Sequence, residues 1–172
     1  MSSYVFDQVK EMVASGVLQF QANSGLTYKL ALLNDTIVNN PETYSSYKTW
    51  SQIQALVPKV EVSTDGTGYS QQTLQNVGLV SVNDSGGSCD DKLPDYIAFA
   101  KNIGFNVSTI TASCIVIVLS TTPTPGINPA DSLLMAIDIR KLIGDSYVPV
   151  MSNNGVFNIQ LDQASGGFLK FK

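Results

Sequence analysis

The stretch Cys114-Ile115-Val116-Ile117-Val118-Leu119 is the longest unbroken apolar run in the chain, at six residues. It is rich in β-branched residues and apolar at every position, which reads as a strand covered on both faces. It is the expected central strand. Working outward, Leu26, Tyr28, Leu30 and Leu32 alternate with Thr27, Lys29 and Ala31, the period of two that marks a half-buried strand. Further on, Leu133, Met135, Ile137 and Ile139 share one parity, while Asp138 and Arg140 take the other. Asp138 is therefore expected to face outward beside Arg140.

Shorter strand signals fill the rest. Val60 and Val62 open one that stops at the Asp65-Gly66-Thr67-Gly68 turn. From Thr73 to Val82 the parity switches around Gly78, which a β-bulge would explain. Ile97, Phe99, Ile103, Phe105 and Val107 keep one parity, as one kinked strand or two short ones. Thr121 to Pro129, with three prolines and a glycine, is an exposed loop, and another loop lies around Gly144 to Pro149. Asn154-Gly155 precedes a strand with Phe157, Ile159 and Leu161 inward, and Gly166-Gly167 turns into a last one at Phe168 to Phe171. The layout is mainly β: an antiparallel sandwich, jelly-roll or immunoglobulin-like, of about eight to ten short strands.

The one strong helical pattern is N-terminal. Val5, Phe6, Val9, Met12 and Val13 recur at helical spacing, Ser2 or Ser3 can cap the start, and Gly16 can end it. Residues 1–20 are thus expected as a helical arm and 21–172 as the β domain. A helix this short needs a surface to dock on, either its own domain or another subunit. The stretch Asn34 to Leu56 is a long polar connection carrying Tyr44, Tyr47 and Trp50, with at most a helical turn near Trp50 to Leu56.

Composition excludes several functions. The chain has 172 residues and no histidine, so His-based triads and His-ligated zinc are impossible. Charged residues are only 14%, with net charge −4 and a single arginine, Arg140. Ser, Thr, Asn and Gln outnumber them about two to one. Nine lysines scattered among fourteen carboxylates supply no basic stripe for nucleic acid. No apolar run reaches the roughly 20 residues that span a bilayer, and no basic-then-apolar leader is visible. Neither nucleic acid nor membrane is an expected partner. Cys114 reads as a buried hydrophobe and Cys89 as a loop residue, so a disulfide is not expected.

Candidate chemistry is thin. Asp84 to Asp91 with Asp95 is oxygen-rich but lacks calcium-loop spacing. Paired carboxylates for a glycosidase fall in loops, and no cofactor or metal is expected. Tyr44, Tyr47 and Trp50 could line a sugar site, form an interface, or simply pack under the loop.

Several segments, in order, resemble small virion structural proteins of tailed bacteriophages. They are Leu26-Thr27-Tyr28-Lys29-Leu30-Ala31-Leu32-Leu33, Glu61-Val62-Ser63-Thr64-Asp65-Gly66-Thr67-Gly68-Tyr69, Phe105 through Ile117, Ala136-Ile137-Asp138-Ile139 and Asn154 through Leu161. The resemblance implies a compact β-sandwich that acts as a capsid decoration, or cement, protein: a homotrimer on the capsid exterior, assembled in the host cytoplasm, bound to the major capsid protein, and not an enzyme. Its candidate contact residues are Tyr4, Phe6 and Val9 of the arm and Tyr44, Tyr47 and Trp50 of the long connection. Another virion component, or a carbohydrate-binding adhesion module, are the alternatives.

Overall fold

The computed structural model describes residues 3–18, 26–74, 78–82, 95–99, 103–159 and 169–171, the segments 78–82, 95–99 and 169–171 by their backbone alone. The fold is mainly β, and among the described residues every strand pairing is antiparallel.

The main sheet has five strands: β1 (Tyr4–Val5), β2 (Thr27–Leu33), β3 (Gln72–Leu74), β8 (Cys114–Ser120) and β9 (Ser132–Asp138). Their order is β1-β9-β8-β2-β3. β8 is central, as its sequence predicts, and every one of its residues is buried. The reason is positional: β2 and β9 satisfy its backbone on both edges, leaving side chains on both faces to be covered. Tyr28, Leu30 and Leu32 stand opposite Leu119, Ile117 and Ile115 on one face, and Lys29, Ala31 and Leu33 opposite Val118, Val116 and Cys114 on the other. A register shift opposite Ile117 and Val118 marks a bulge in β9.

The N-terminal pattern resolves differently from its helical reading. Tyr4 and Val5 pair with Ala136 and Met135, and the Phe6 N–H donates to the Leu134 carbonyl at 3.0 Å. Helix α1 spans only Gln8–Ala14 and starts after Asp7, not at Ser2 or Ser3. The open edge of β9 offers Tyr4 to Phe6 a strand partner, and that tertiary pairing outweighs the local period. Gly16 follows the helix with φ +70, and its N–H donates to the Val13 carbonyl at 3.1 Å, as the stop signal predicts. The stretch expected as an arm is tied into the main sheet.

The connection Asn34 to Leu56 holds three short helices rather than one turn: α2 (Thr36–Asn39), α3 (Pro41–Tyr44) and α4 (Trp50–Gln54). Gln52 folds back to accept the Thr49 N–H at 3.1 Å, one half of a capping box at the start of α4. The Trp50 and Leu133 N–H groups donate to the Asp131 and Lys48 carbonyls, which ties α4 to the start of β9.

The parity switch read as a bulge near Gly78 is instead a change of sheet. β3 ends at Leu74 in the main sheet, whereas β4 (Gly78–Val82) pairs with β5 (Asp95–Phe99), itself flanked by β14 (Leu169–Phe171). β6 (Ile103–Ser108) is separate from β5, the two-strand option, and pairs with β13 (Gly155–Ile159). Phe105, Phe157 and Ile159 join the core, with Phe105 centred 5.7 Å from the Tyr69 ring and 6.3 Å from Phe157. Two short ladders complete the described fold: β7 (Thr111–Ala112) with β12 (Val150–Met151), and β10 (Lys141–Ile143) with β11 (Ser146–Val148). The acidic segment 84–91, Cys89 and Leu161 lie outside the described residues.

Three charged groups on the face opposite the apolar stripe, Lys29, Asp138 and Arg140, are buried. Asp138 and Arg140 form a close ion pair, and Lys29, 1% exposed in the middle of β2, reaches Asp131 at 3.4 Å and Ser120 Oγ at 3.0 Å. The face expected to meet solvent is covered, so each charge is retained only with a partner.

Candidate functional site

The surface that stands out begins just after β9. Lys141-Leu142-Ile143 and Ser146-Tyr147-Val148 pair residue for residue across Gly144-Asp145. Gly144 has φ +60 while Asp145 is not left-handed, the signature of a type II′ hairpin turn with glycine first. Leu142 and Tyr147 oppose each other on one face, and Ile143 and Ser146 on the other. Both faces carry exposed apolar side chains, Leu142 and Tyr147 on one and Ile143 on the other.

Arg140 anchors the base of this hairpin. Its Nε and Nη2 donate to the two Asp138 carboxylate oxygens at 2.9 and 2.8 Å, Nη1 donates to Asn39 Oδ1 at 2.6 Å, and its guanidinium lies 5.3 Å from the centre of the Tyr147 ring. The Asp138 hydrogen bond holds the guanidinium above its already high ordinary range, so its charge is permanent.

The exposed apolar run continues along the chain. Met151 in β12 is 70% exposed and Val156 in β13 is also exposed. Across from Val156, the register shifts between Gly155 and Phe157 because β6 carries an extra residue, and Val107 at that bulge adopts φ +51. A β-branched residue in the left-handed region is strained. Val107 keeps the parity of Ile103 and Phe105 in the sequence, but the bulge breaks that alternation and leaves it 71% exposed. Neighbours hold the distortion in place. The Thr109 N–H donates to the Thr67 carbonyl at 2.8 Å, and a Cβ on Gly68 would stand 2.9 Å from the Val107 carbonyl oxygen. Ser108 Oγ sits within hydrogen-bond reach of Ser152 Oγ (3.0 Å) and the Gly155 carbonyl (3.1 Å).

The contact residues expected from sequence divide sharply. Phe6, Val9 and Trp50 are buried in the chain's own core, so they pack this fold instead of offering a surface. Tyr4 and Tyr44 and Tyr47 are half-buried. Tyr4 stacks edge-on against Phe6 and Tyr44 against Tyr47, each pair with centroids 5.3 Å apart. Burial pushes the Tyr4 hydroxyl well above the ordinary tyrosine range. Trp50 is fully buried and its Nε1 has no hydrogen-bond partner among the described residues. It borders a cavity of about 120 Å³ together with Ile53, Gln54, Lys59, Val60 and Glu61. Helical spacing and aromatic clustering mark packing residues as readily as contacts. The sequence signal for the hairpin was the Gly-Asp dipeptide between Lys-Leu-Ile and Ser-Tyr-Val, a hairpin pattern.

Among the described residues no group of three or more Cys, Asp or Glu is placed to hold a metal, and no helix is long and apolar enough to cross a membrane. The Cys114 thiol is free and buried, and burial followed by the nearby Asp138 charge pushes it far above the ordinary thiol range, which keeps it unreactive. Comparison of the chain with known protein families, with characterised proteins and with solved structures finds no match in any of the three.

Proposed function

We propose that this chain is a structural protein of a tailed-phage virion, a capsid decoration protein that works by contact and performs no catalysis. One observation carries the reading. Of the nine large apolar side chains exposed among the described residues, five (Leu142, Ile143, Tyr147, Met151 and Val156) fall in the short stretch 142–156. Exposed apolar side chains gathered in one stretch of chain support a role in contact. The resemblance of the strand motifs to small virion proteins supports the same reading and supplies the partner, the major capsid protein.

In this role each copy of the protein, as one unit of a trimer on the capsid exterior, touches more than one capsomer. Separate weak contacts then act together, because the first raises the effective concentration of the second. The buried ion pair under the hairpin keeps the contact surface in one geometry. Of the other readings, the carbohydrate module loses its stacking platform, since Trp50 is fully buried.

The test is co-sedimentation with phage capsids. The protein is expected to pellet with expanded shells and not with procapsid-like shells. Met151→Lys and Val156→Glu, both on exposed side chains, should weaken pelleting without changing the circular dichroism spectrum. Protein that stays in the supernatant with every shell form would overturn the proposal.

A further inference from the structure

An amine and a carboxylate meet in the interior of the main sheet. Lys29 sits mid-strand in β2, opposite Val118 of β8, and Asp131 stands one residue before β9, on the other side of β8. The two side chains are 1% and 7% exposed. Their contact is loose for a buried ion pair: Nζ lies 3.4 Å from Asp131 Oδ2, against 2.8 Å between Arg140 and Asp138. It is also incompletely bonded. An ammonium carries three N–H donors, and among the described residues the acceptors are Ser120 Oγ, at 3.0 Å, and Asp131 Oδ2. Oδ2 also accepts the Asn128 N–H at 2.9 Å, whereas no described group hydrogen-bonds Oδ1.

We infer that Lys29 and Asp131 join in an intramolecular isopeptide bond. Nζ bonds to Asp131 Cγ, the Cγ–Oδ1 bond breaks, and Oδ1 leaves as water with two protons replacing two lost from Nζ. An ammonium and a carboxylate become an amide and a water, with no oxidant and no net gain or loss of protons. The amide suits this site better than the ion pair does. Its single N–H has Ser120 Oγ to donate to, and its carbonyl oxygen, the former Oδ2, keeps the Asn128 N–H. Two buried charges vanish, and their desolvation cost with them. Nζ must shed a proton before it attacks, and a run of hydroxyls leads away from it. Ser120 Oγ lies 3.1 Å from Thr122 Oγ1, which lies 3.3 Å from the Oγ1 of exposed Thr124. The bond ties β2 to the start of β9 across the central strand, joining residues 102 apart in the chain, and such a link restricts the unfolded state.

Intact-mass spectrometry of the full chain tests this, with a readout independent of shell binding. Purified chain held at neutral pH is expected to weigh one water less than its sequence requires. Trypsin should no longer cleave after Lys29, and the digest should contain a branched peptide joining Lys29 to Asp131. Lys29→Met and Asp131→Ala each remove one reacting group and should keep the full mass, whether or not they fold. Ser120→Ala keeps both reacting groups and, with an unchanged circular dichroism spectrum, should lose water about a hundredfold more slowly. Equal rates for Ser120→Ala and wild type would overturn the proton path. A wild-type chain that retains its full mass overturns the isopeptide bond itself. So does a water loss that persists in Lys29→Met, or one that fragmentation maps to a cyclic imide at Asp65-Gly66.

Discussion

Arg140 grips Asp138 from two residues away on the same chain. Nε to Oδ1 is 2.9 Å and Nη2 to Oδ2 is 2.8 Å, and the Arg140 N–H also donates to Oδ1 at 3.0 Å. Both side chains are buried where β9 gives way to the hairpin. Asp138 ends β9 and Arg140 stands just before β10, so the pair forms a joint between the main sheet and an exposed ribbon.

Breaking that joint from one side should be costly. Asp138→Asn leaves a buried guanidinium without its counter-charge and is expected to lower unfolding stability by about 3–5 kcal/mol. Urea denaturation should show a lower midpoint with an unchanged slope. A loss under about 1 kcal/mol would mean that solvent reaches the pair far more freely than its burial implies.

The bulge at Val107 predicts opposite signs for two neighbouring changes. Val107→Gly removes a β-branched side chain from φ +51, and the valine is mostly exposed, so little burial is lost. The relief of strain exceeds glycine's extra chain entropy, and the variant should be more stable by up to about 1 kcal/mol. Gly68→Ala, at φ +73 with its new Cβ 2.9 Å from the Val107 carbonyl oxygen, should cost about 1–3 kcal/mol. Thermal melts of the two variants should move in opposite directions.

Trp50→Phe tests whether the indole packs or binds. The change leaves a small void, which destabilises, but removes a buried N–H that has no acceptor among the described residues, which offsets about 1–3 kcal/mol. The net effect on the melting midpoint should be small, and shell binding should be unaffected. A loss of binding with the fold intact would restore Trp50 as a contact residue.

Alkaline pH should unfold the protein through its buried neutral acids. Burial pushes the hydroxyls of Tyr4, Tyr28 and Tyr69 up from an ordinary 10.0, and the Cys114 thiol up from 9.0. For Tyr69 the adjacent Glu61 charge adds to the effect. Groups raised in the folded state keep their full contribution below the unfolded values. Above about pH 9 the unfolded chain releases protons that the folded chain retains, so stability falls as pH rises. Urea midpoints should therefore be insensitive to these groups from neutral pH to about 9 and decline beyond it. Phenolate absorbance from these tyrosines should grow only as the chain unfolds.

The sequence by itself determined the period-two strands and their order of burial. Six successive apolar residues at Cys114 to Leu119 can be hidden only by a strand with neighbours on both edges and layers on both faces, and that is where β8 lies. Gly16 and the turn glycines Gly66 and Gly68 were equally legible, because positive φ is a local property of the residue. Tertiary structure decided what depends on distant partners. Tyr4 to Phe6 became strand because β9 had an edge to fill. Thr73 to Val82 switched parity because it crosses from one sheet to another. Lys29, Asp138 and Arg140 went inside because the face opposite the obvious apolar stripe was itself covered. The candidate surface shows the same division. Exposure of Leu142, Ile143 and Met151 cannot be read from residue type, since an apolar side chain is buried only when some other segment arrives to cover it, and here, among the described residues, none does so fully.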